Sequence, residues 1–268
     1  MVSVVESWSK FTNRRSAIGE VLINPLSVKN LHLRWTFHAG RDISATPAVA
    51  NGVVYFPSWN GTGTVTNVNV TVSGSTPTVD GDLLIVGIYG PAVVIAVNRL
   101  NGRLVWSRQL CPRPRALITM SGTIYLGTKI SIEDPNPNLI ITSLSQFTND
   151  KCCTFRGSLA KLDVLTRAIR WQTYMFPDNG GKLGGYAGAA IWGSSPAIDV
   201  IRRRVYVATG NLYTAPPEVL KCQDEQNNQT RRPDHPDQCI GPGINFNSVV
   251  ALGGFNSVIL EELLGQSN

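Results

Sequence analysis

No stretch of the 268-residue chain is apolar for long enough to cross a bilayer as a helix, which takes about 20 such residues in a row. Histidine is scarce. His32, His38 and His235 are the only three, and no Gly-x-Ser-x-Gly elbow accompanies them, so a Ser-His-Asp hydrolase has no support. Charge is thin as well: 16% of residues are charged and the net charge is +6. The basic residues form no clustered helix. Arg14-Arg15 and Arg202-Arg203-Arg204 are short and fall in a loop or a turn, so a solvated surface is expected and nucleic acid is not. Met1 to Lys10 lacks the basic-then-apolar order of a secretory signal. The five cysteines match no zinc spacing. The glycine-rich run Asp178 to Gly188 lacks the strand-to-helix setting of a phosphate loop and reads as a mobile surface loop.

What the chain does have is turns, with 25 glycines and 16 prolines, between runs of β-branched residues. Ser194 to Asn211 sets the pattern: a Ser-Pro corner, an apolar strand, a turn, a second strand, then Thr-Gly-Asn. Thr46-Pro47-Ala48-Val49 leads over Asn51-Gly52 into Val53 to Phe56. Thr76-Pro77-Thr78-Val79 leads over Asp80-Gly81-Asp82 into Leu83 to Gly87. A weaker copy runs from Leu117 to Met120 over Ser121-Gly122 into Thr123 to Gly127. Each reads as a β-hairpin, and recurrence at tens of residues implies an array. Leu31, Leu33, Trp35 and Phe37 alternate with polar residues as in a strand, after a short helix or turn near Val28 to Leu31.

A second unit follows the hairpins. Ala96-Val97-Asn98-Arg99-Leu100-Asn101-Gly102-Arg103-Leu104-Val105-Trp106 is strand, tight turn, strand, ending in tryptophan. Lys161 to Trp171 repeats it with Arg167 in the glycine slot. Hairpin plus second pair makes a four-stranded sheet, and such sheets repeated radially make an all-β propeller. The Ala96–Trp106 unit is similar to the tryptophan-docking motif of the quinoprotein dehydrogenases. The chain, from about Asn13 to Leu252, resembles the plant polyvinyl-alcohol-dehydrogenase-like proteins with pyrroloquinoline quinone (PQQ) repeats.

The resemblance implies a PQQ-type β-propeller, eight-bladed in the family and here an incomplete arc of about four blades. The expected organisation is a lead-in at 1–30, partial repeats at 31–257 and an atypical tail at 258–268. The second strand pair of the first blade is expected to be missing between Gly61 and Thr62, with Thr62 to Ser75 as a partial substitute. At the far end Glu261 stands where a docking tryptophan belongs, and Val258 to Leu264 reads as a short amphipathic helix. Such a chain looks truncated and internally deleted.

The resemblance also implies site residues. Trp192, followed by Gly193, matches the tryptophan that stacks on the quinone. Asn211, in Thr209-Gly210-Asn211, matches an asparagine that binds calcium. Core packing for Trp192 and a turn role for Asn211 stand beside those assignments. The adjacent Cys152 and Cys153 resemble the family's ring-forming pair over the quinone, but stand just before Arg156-Gly157, where the family has a calcium-binding glutamate. A thiol or disulfide cannot replace that carboxylate. Each cysteine bridging elsewhere is the alternative. Cys222 and Cys239 are expected to close a polar surface loop, Gln223 to Gln238, leaving Cys111 free or paired with either adjacent cysteine. The sequons at Asn60, Asn69 and Asn228 suggest a secreted glycoprotein.

The function expected from the resemblance is oxidation of a small-molecule or polymer alcohol with PQQ and calcium. Activity is expected to be impaired, because the family's catalytic base lies on a later blade without a counterpart in this chain. A secreted propeller that binds proteins or cell-wall polymers without catalysis is the alternative.

Overall fold

The computed structural model describes residues 22–60, 73–88, 92–112, 116–126, 137–145, 153–191, 195–199, 201–227, 238–253 and 259–264. A single 3-10 turn at Val28–Asn30 precedes the first hairpin. That hairpin pairs β1 (Ala48–Ala50) with β2 (Val53–Tyr55). Asn51 and Gly52 both sit at positive φ, 49° and 76°, the turn geometry whose twist suits antiparallel strands. The next blade is a meander of β3 (Thr78–Asp80), β4 (Leu83–Ile88), β5 (Val93–Asn98) and β6 (Leu104–Gln109), hydrogen-bonded in that order.

The third sheet contains β7 (Ala116–Leu117), β8 (Thr123–Leu126), β9 (Pro137–Ser145), β10 (Ser158–Asp163) and β11 (Ile169–Tyr174). Both β7 and β8 pair with β9, which then pairs with β10. Next come β12 (Ala187–Gly188), β13 (Ala197–Asp199), β14 (Arg204–Ala208), β15 (Leu212–Thr214), helix α1 (Pro217–Asn227), β16 (Val249–Gly253) and β17 (Ile259–Leu264). The last blade has the order β13-β14-β16-β17, while β12 pairs with β15 apart from it. The architecture is thus an all-β propeller arc: a hairpin, three larger sheets and a two-stranded rim.

Apolar faces press each sheet on the next. Ile85, Val94, Ala96 and Trp106 bury against Ile118, Ile124, Ala160 and Leu162. Leu159 and Met175 bury against Val205, Val207, Val250 and Leu252, with Trp171 partly buried at the edge. The indole N–H groups of Trp106 and Trp171 find no acceptor among the described residues, so these two side chains act through apolar area. Register confirms the repeat: Ala96 faces Trp106, Lys161 faces Trp171, and Ala251 faces Glu261. Glu261 therefore does occupy the tryptophan position. The expected helix at Val258 to Leu264 is incorrect, since Ile259–Leu264 is a strand. The free edge of β16 supplies backbone partners that an isolated apolar segment lacks, and these override a helical pattern.

The docking turns are held alike. The Asn98 side-chain oxygen accepts from the N–H groups of Leu100 and Asn101 (2.9 and 3.2 Å). That of Asp163 accepts from Leu165 and Thr166 (3.0 and 2.8 Å). Gly102 and Arg167 share the left-handed position at φ 73° and 58°. Only glycine holds that conformation without a Cβ penalty. Arg167→Gly is expected to leave stability unchanged or raise it by up to about 1 kcal/mol, read from urea midpoints. A loss of similar size would show that the Arg167 side chain stabilises this turn.

The third corner lies elsewhere than expected. Leu117 to Met120 does not form a hairpin with Thr123 to Gly127, because β7 and β8 both pair with β9. Ser121-Gly122-Thr123 instead takes the place of Thr76-Pro77-Thr78. The Thr78 hydroxyl donates to Gly122 O (2.8 Å), and the Thr123 hydroxyl donates to Pro196 O (3.3 Å), so each corner bonds to the next. Ser195 donates back to Ser121 O (3.2 Å), and the N–H of Thr76 donates to the Ser121 hydroxyl (2.7 Å). Glycine at 122 hides the corner from a search for Ser/Thr-Pro.

The first strands end in turns with opposite electrostatics. Asp199 accepts from the N–H and the guanidinium of Arg202, which holds its carboxyl below the usual carboxylate range. Its contribution is present at neutral pH and fades as pH falls through that lowered value. Burial raises the carboxyl of Asp80, at the matching position.

Two other expectations change, the strand at Leu31 and the polar insertion, while the cysteine readings stand. The strand expected at Leu31 to Phe37 is absent: the segment joins no sheet and its apolar and polar residues are all exposed. The polar insertion is helical up to Asn227 within α1, and its disulfide, Cys222–Cys239, is present with Cα atoms 5.7 Å apart. Cys111 is a free thiol. The proposed filler segment from Thr62 lies outside the described residues up to position 72, as do Asn69, Asn228 and His235. Asn60 is exposed.

Candidate functional site

Three extended segments cross at one end of the third and last blades: Cys153 to Gly157, Ala187 to Ile191 and Thr209 to Thr214. Arg156 bridges to Gly188, and Gly188 pairs with Leu212. Gly157 N–H donates to Gly188 O and Gly188 N–H to Phe155 O, at 2.9 and 3.0 Å. Ala189 N–H donates to Asn211 O, and Gly210 N–H to Ala190 O, at 2.9 and 2.7 Å. The crossing needs two glycines. A Cβ at Gly157 would stand 1.8 Å from Ala189 O, and one at Gly188 would stand 2.5 Å from Asn211 O. Gly188 also has φ 124°, and Ala189 next to it has φ 48°, so the middle segment is sharply bent.

Cys153 is buried and disulfide-bonded. It packs with Phe155, Leu117, Ala187 and Ala190, and Tyr213 closes the cluster from outside, 5.2 Å from the Phe155 ring. The Arg156 guanidinium lies 4.2 Å over the Tyr174 ring. It donates to Phe176 O (3.1 Å) and pairs with Asp178 (2.9 Å). Asn211 is exposed and its amide N–H donates to Leu212 O (3.2 Å). Thr209 and Ser248 exchange backbone and hydroxyl bonds, which ties the Thr-Gly-Asn turn to β16.

Cys153, Arg156 and Asn211 thus lie on two of three adjoining segments, and the middle segment leads toward position 192. Trp192, Gly193 and Cys152 lie outside the described residues. His32 and His38 are exposed and remote in sequence from this crossing.

Asn179 is a residue that motif reading missed. Its amide donates to Thr154 O and Tyr186 O, at 3.1 and 3.0 Å, and its carbonyl oxygen accepts from Gly181 N–H (2.9 Å). With Arg156 on Asp178, it pins the root of the glycine-rich loop to the Cys153–Gly157 segment. The expected mobile loop is therefore tied down at its base. An asparagine before Gly-Gly reads in sequence as an ordinary turn residue, and its long-range bonds leave no local signal.

The described residues do not fit a calcium ion. Calcium takes six to eight oxygen ligands. Asn211 offers one amide oxygen, Asp178 is engaged by Arg156, and no group of three or more His, Cys, Asp or Glu side chains converges among the described residues.

No protein-family model matches the chain. The polyvinylalcohol dehydrogenase of Pseudomonas sp. is 35% identical over 129 residues, covering 45% of this chain and 19% of that protein. The polyvinylalcohol dehydrogenase of Sphingopyxis sp. (strain 113P3) is 30% identical over 132 residues, covering 46% and 19%. The match thus spans about a fifth of each curated relative's length. Among solved structures, the quinohemoprotein alcohol dehydrogenase of Comamonas testosteroni superposes with TM-score 0.54 at 18% identity, over 83% of this chain and 35% of that one. A quinohemoprotein alcohol dehydrogenase of Pseudomonas putida HK5 gives 0.56 at 17%, over 84% and 34%. A europium-containing methanol dehydrogenase gives 0.55 at 14%, over 88% and 44%. At these identities the superpositions speak for the fold.

Proposed function

From a chain that is a sequence relative of the polyvinylalcohol dehydrogenases and shares the propeller fold of the quinoprotein alcohol dehydrogenases, we propose that this protein binds PQQ at the crossing of its last two blades, as part of an alcohol-oxidising quinoprotein. The supporting observation is that crossing, where the segments bearing Cys153, Arg156 and Asn211 adjoin and the middle one runs on toward Trp192. When bound, PQQ would supply the two-electron acceptor for an alcohol. Trp192 and Gly193 would form one wall and Cys152-Cys153 the other, with Arg156 at the edge facing the carboxylates of the cofactor. Asn211 is the residue this reading assigns to a metal, and no step is derived through one. A small alcohol or a hydroxylated polymer is the proposed substrate, and a secreted glycoprotein the proposed context.

No residue here is assigned the catalytic base, so binding and turnover separate, and impaired turnover is part of the reading. PQQ titrated into the purified chain is expected to quench tryptophan fluorescence saturably. Trp192→Ala is expected to weaken binding about tenfold, equivalent to about 1.4 kcal/mol, with Trp192→Phe recovering part of it. A folded chain with no saturable response would sink the proposal and favour a non-catalytic propeller. The prior engagement of Arg156 by Asp178 and Tyr174 is the observation on that side.

A further inference from the structure

The segment from His32 to His38 belongs to no helix and no sheet among the described residues. No backbone N–H or C=O within it hydrogen-bonds to any described residue. Leu31, Leu33, Trp35 and Phe37 stand at alternate positions and are 60%, 80%, 65% and 68% exposed. Contiguous apolar surface of this kind marks an interaction site in soluble proteins. Extended backbone with unpaired polar groups adds readily to a sheet edge. Phe37 touches the ring of Phe56, 5.8 Å away, which anchors one end of the segment beside the first hairpin.

The chain also carries an edge of complementary chemistry. β17 is the outermost strand of the last blade, and its far side has no strand partner among the described residues. Its sequence, Ile259-Leu260-Glu261-Glu262-Leu263-Leu264, has two acids and no base. Leu31 to His38 has Arg34, His32 and His38 and no acid. Other strands also end their sheets among the described residues, but β6 and β11 each carry an arginine and no acid, and β3 and β13 carry one acid each over three residues.

We propose that Leu31 to Phe37 of one copy adds as a strand to the β17 edge of a second copy, head to tail, the basic segment lying along the acidic one. The new main-chain ladder would satisfy the backbone groups on both sides, and the apolar residues would leave water. The assembly is independent of any cofactor.

Sedimentation velocity over a concentration series tests it. The chain is expected to self-associate. Trp35→Glu, at an exposed position that spares the fold, is expected to weaken association about 30-fold or more. A peptide spanning residues 29–39 is expected to dissociate the assembly of the unaltered chain. Arg34→Glu should weaken association, and adding Glu261→Lys and Glu262→Lys to it should restore part of the loss. A monomer at every concentration overturns the proposal, as does an assembly indifferent to both Trp35→Glu and the peptide.

Discussion

Gly157→Ala is expected to cost about 3–5 kcal/mol of folding stability, or to abolish cooperative folding, in urea denaturation followed by circular dichroism. The added Cβ would lie 1.8 Å from Ala189 O, 2.7 Å from its carbonyl carbon and 3.1 Å from Ala190 Cα. All three are backbone atoms, so no side-chain rotation relieves the contact. The segments would have to separate, breaking the bonds from Gly157 N–H to Gly188 O and from Met175 N–H to Gly157 O. Gly241→Ala is the matched control. Its Cβ meets nothing within 4 Å, and it is expected to stay within about 0.5 kcal/mol of the parent. A Gly157→Ala chain as stable as that control would mean the three segments do not cross as described. The same change should weaken PQQ binding, because it moves Arg156 and the Cys153 segment together.

Asp163→Ala is expected to cost about 3 kcal/mol. The Asp163 side chain is fully buried, caps the docking turn through the N–H groups of Leu165 and Thr166, and pairs with Arg170. Alanine would strand both N–H donors and remove the counter-charge of a half-exposed arginine. The chain contains its own control. Asn98 occupies the equivalent turn and caps it with an amide oxygen in the same way. Asp163→Asn is therefore expected to keep the turn and lose only the ion pair, at about 1 kcal/mol. Equal losses for alanine and asparagine would show that charge, rather than capping, governs this position.

Much of the architecture is legible because its causes are local. Asn51-Gly52 specifies a hairpin turn through two positive φ angles, and the spacing from Asn98 to Trp106 recurs from Asp163 to Trp171 because both encode the same capped turn and partner register. The corner at Ser121-Gly122 is not legible locally, because its role depends on bonds to Thr76 and Thr78 on another blade. The proposed site was partly visible. Cys153, Arg156 and Asn211 could be named by resemblance, whereas Asn179 could not, since its partners Thr154 and Tyr186 come together only when the loop closes.

By itself the sequence determined the strand alternation, the turn chemistry and the repeat, since each depends on the conformational preferences of neighbouring residues. Tertiary structure decided the rest. β17 became a strand because the edge of β16 offered backbone partners. Leu31 to Phe37, for all its alternation in sequence, takes no partner strand among the described residues. Glycine is required at 157 and 188 because another backbone passes within ångströms, a constraint no local propensity can encode.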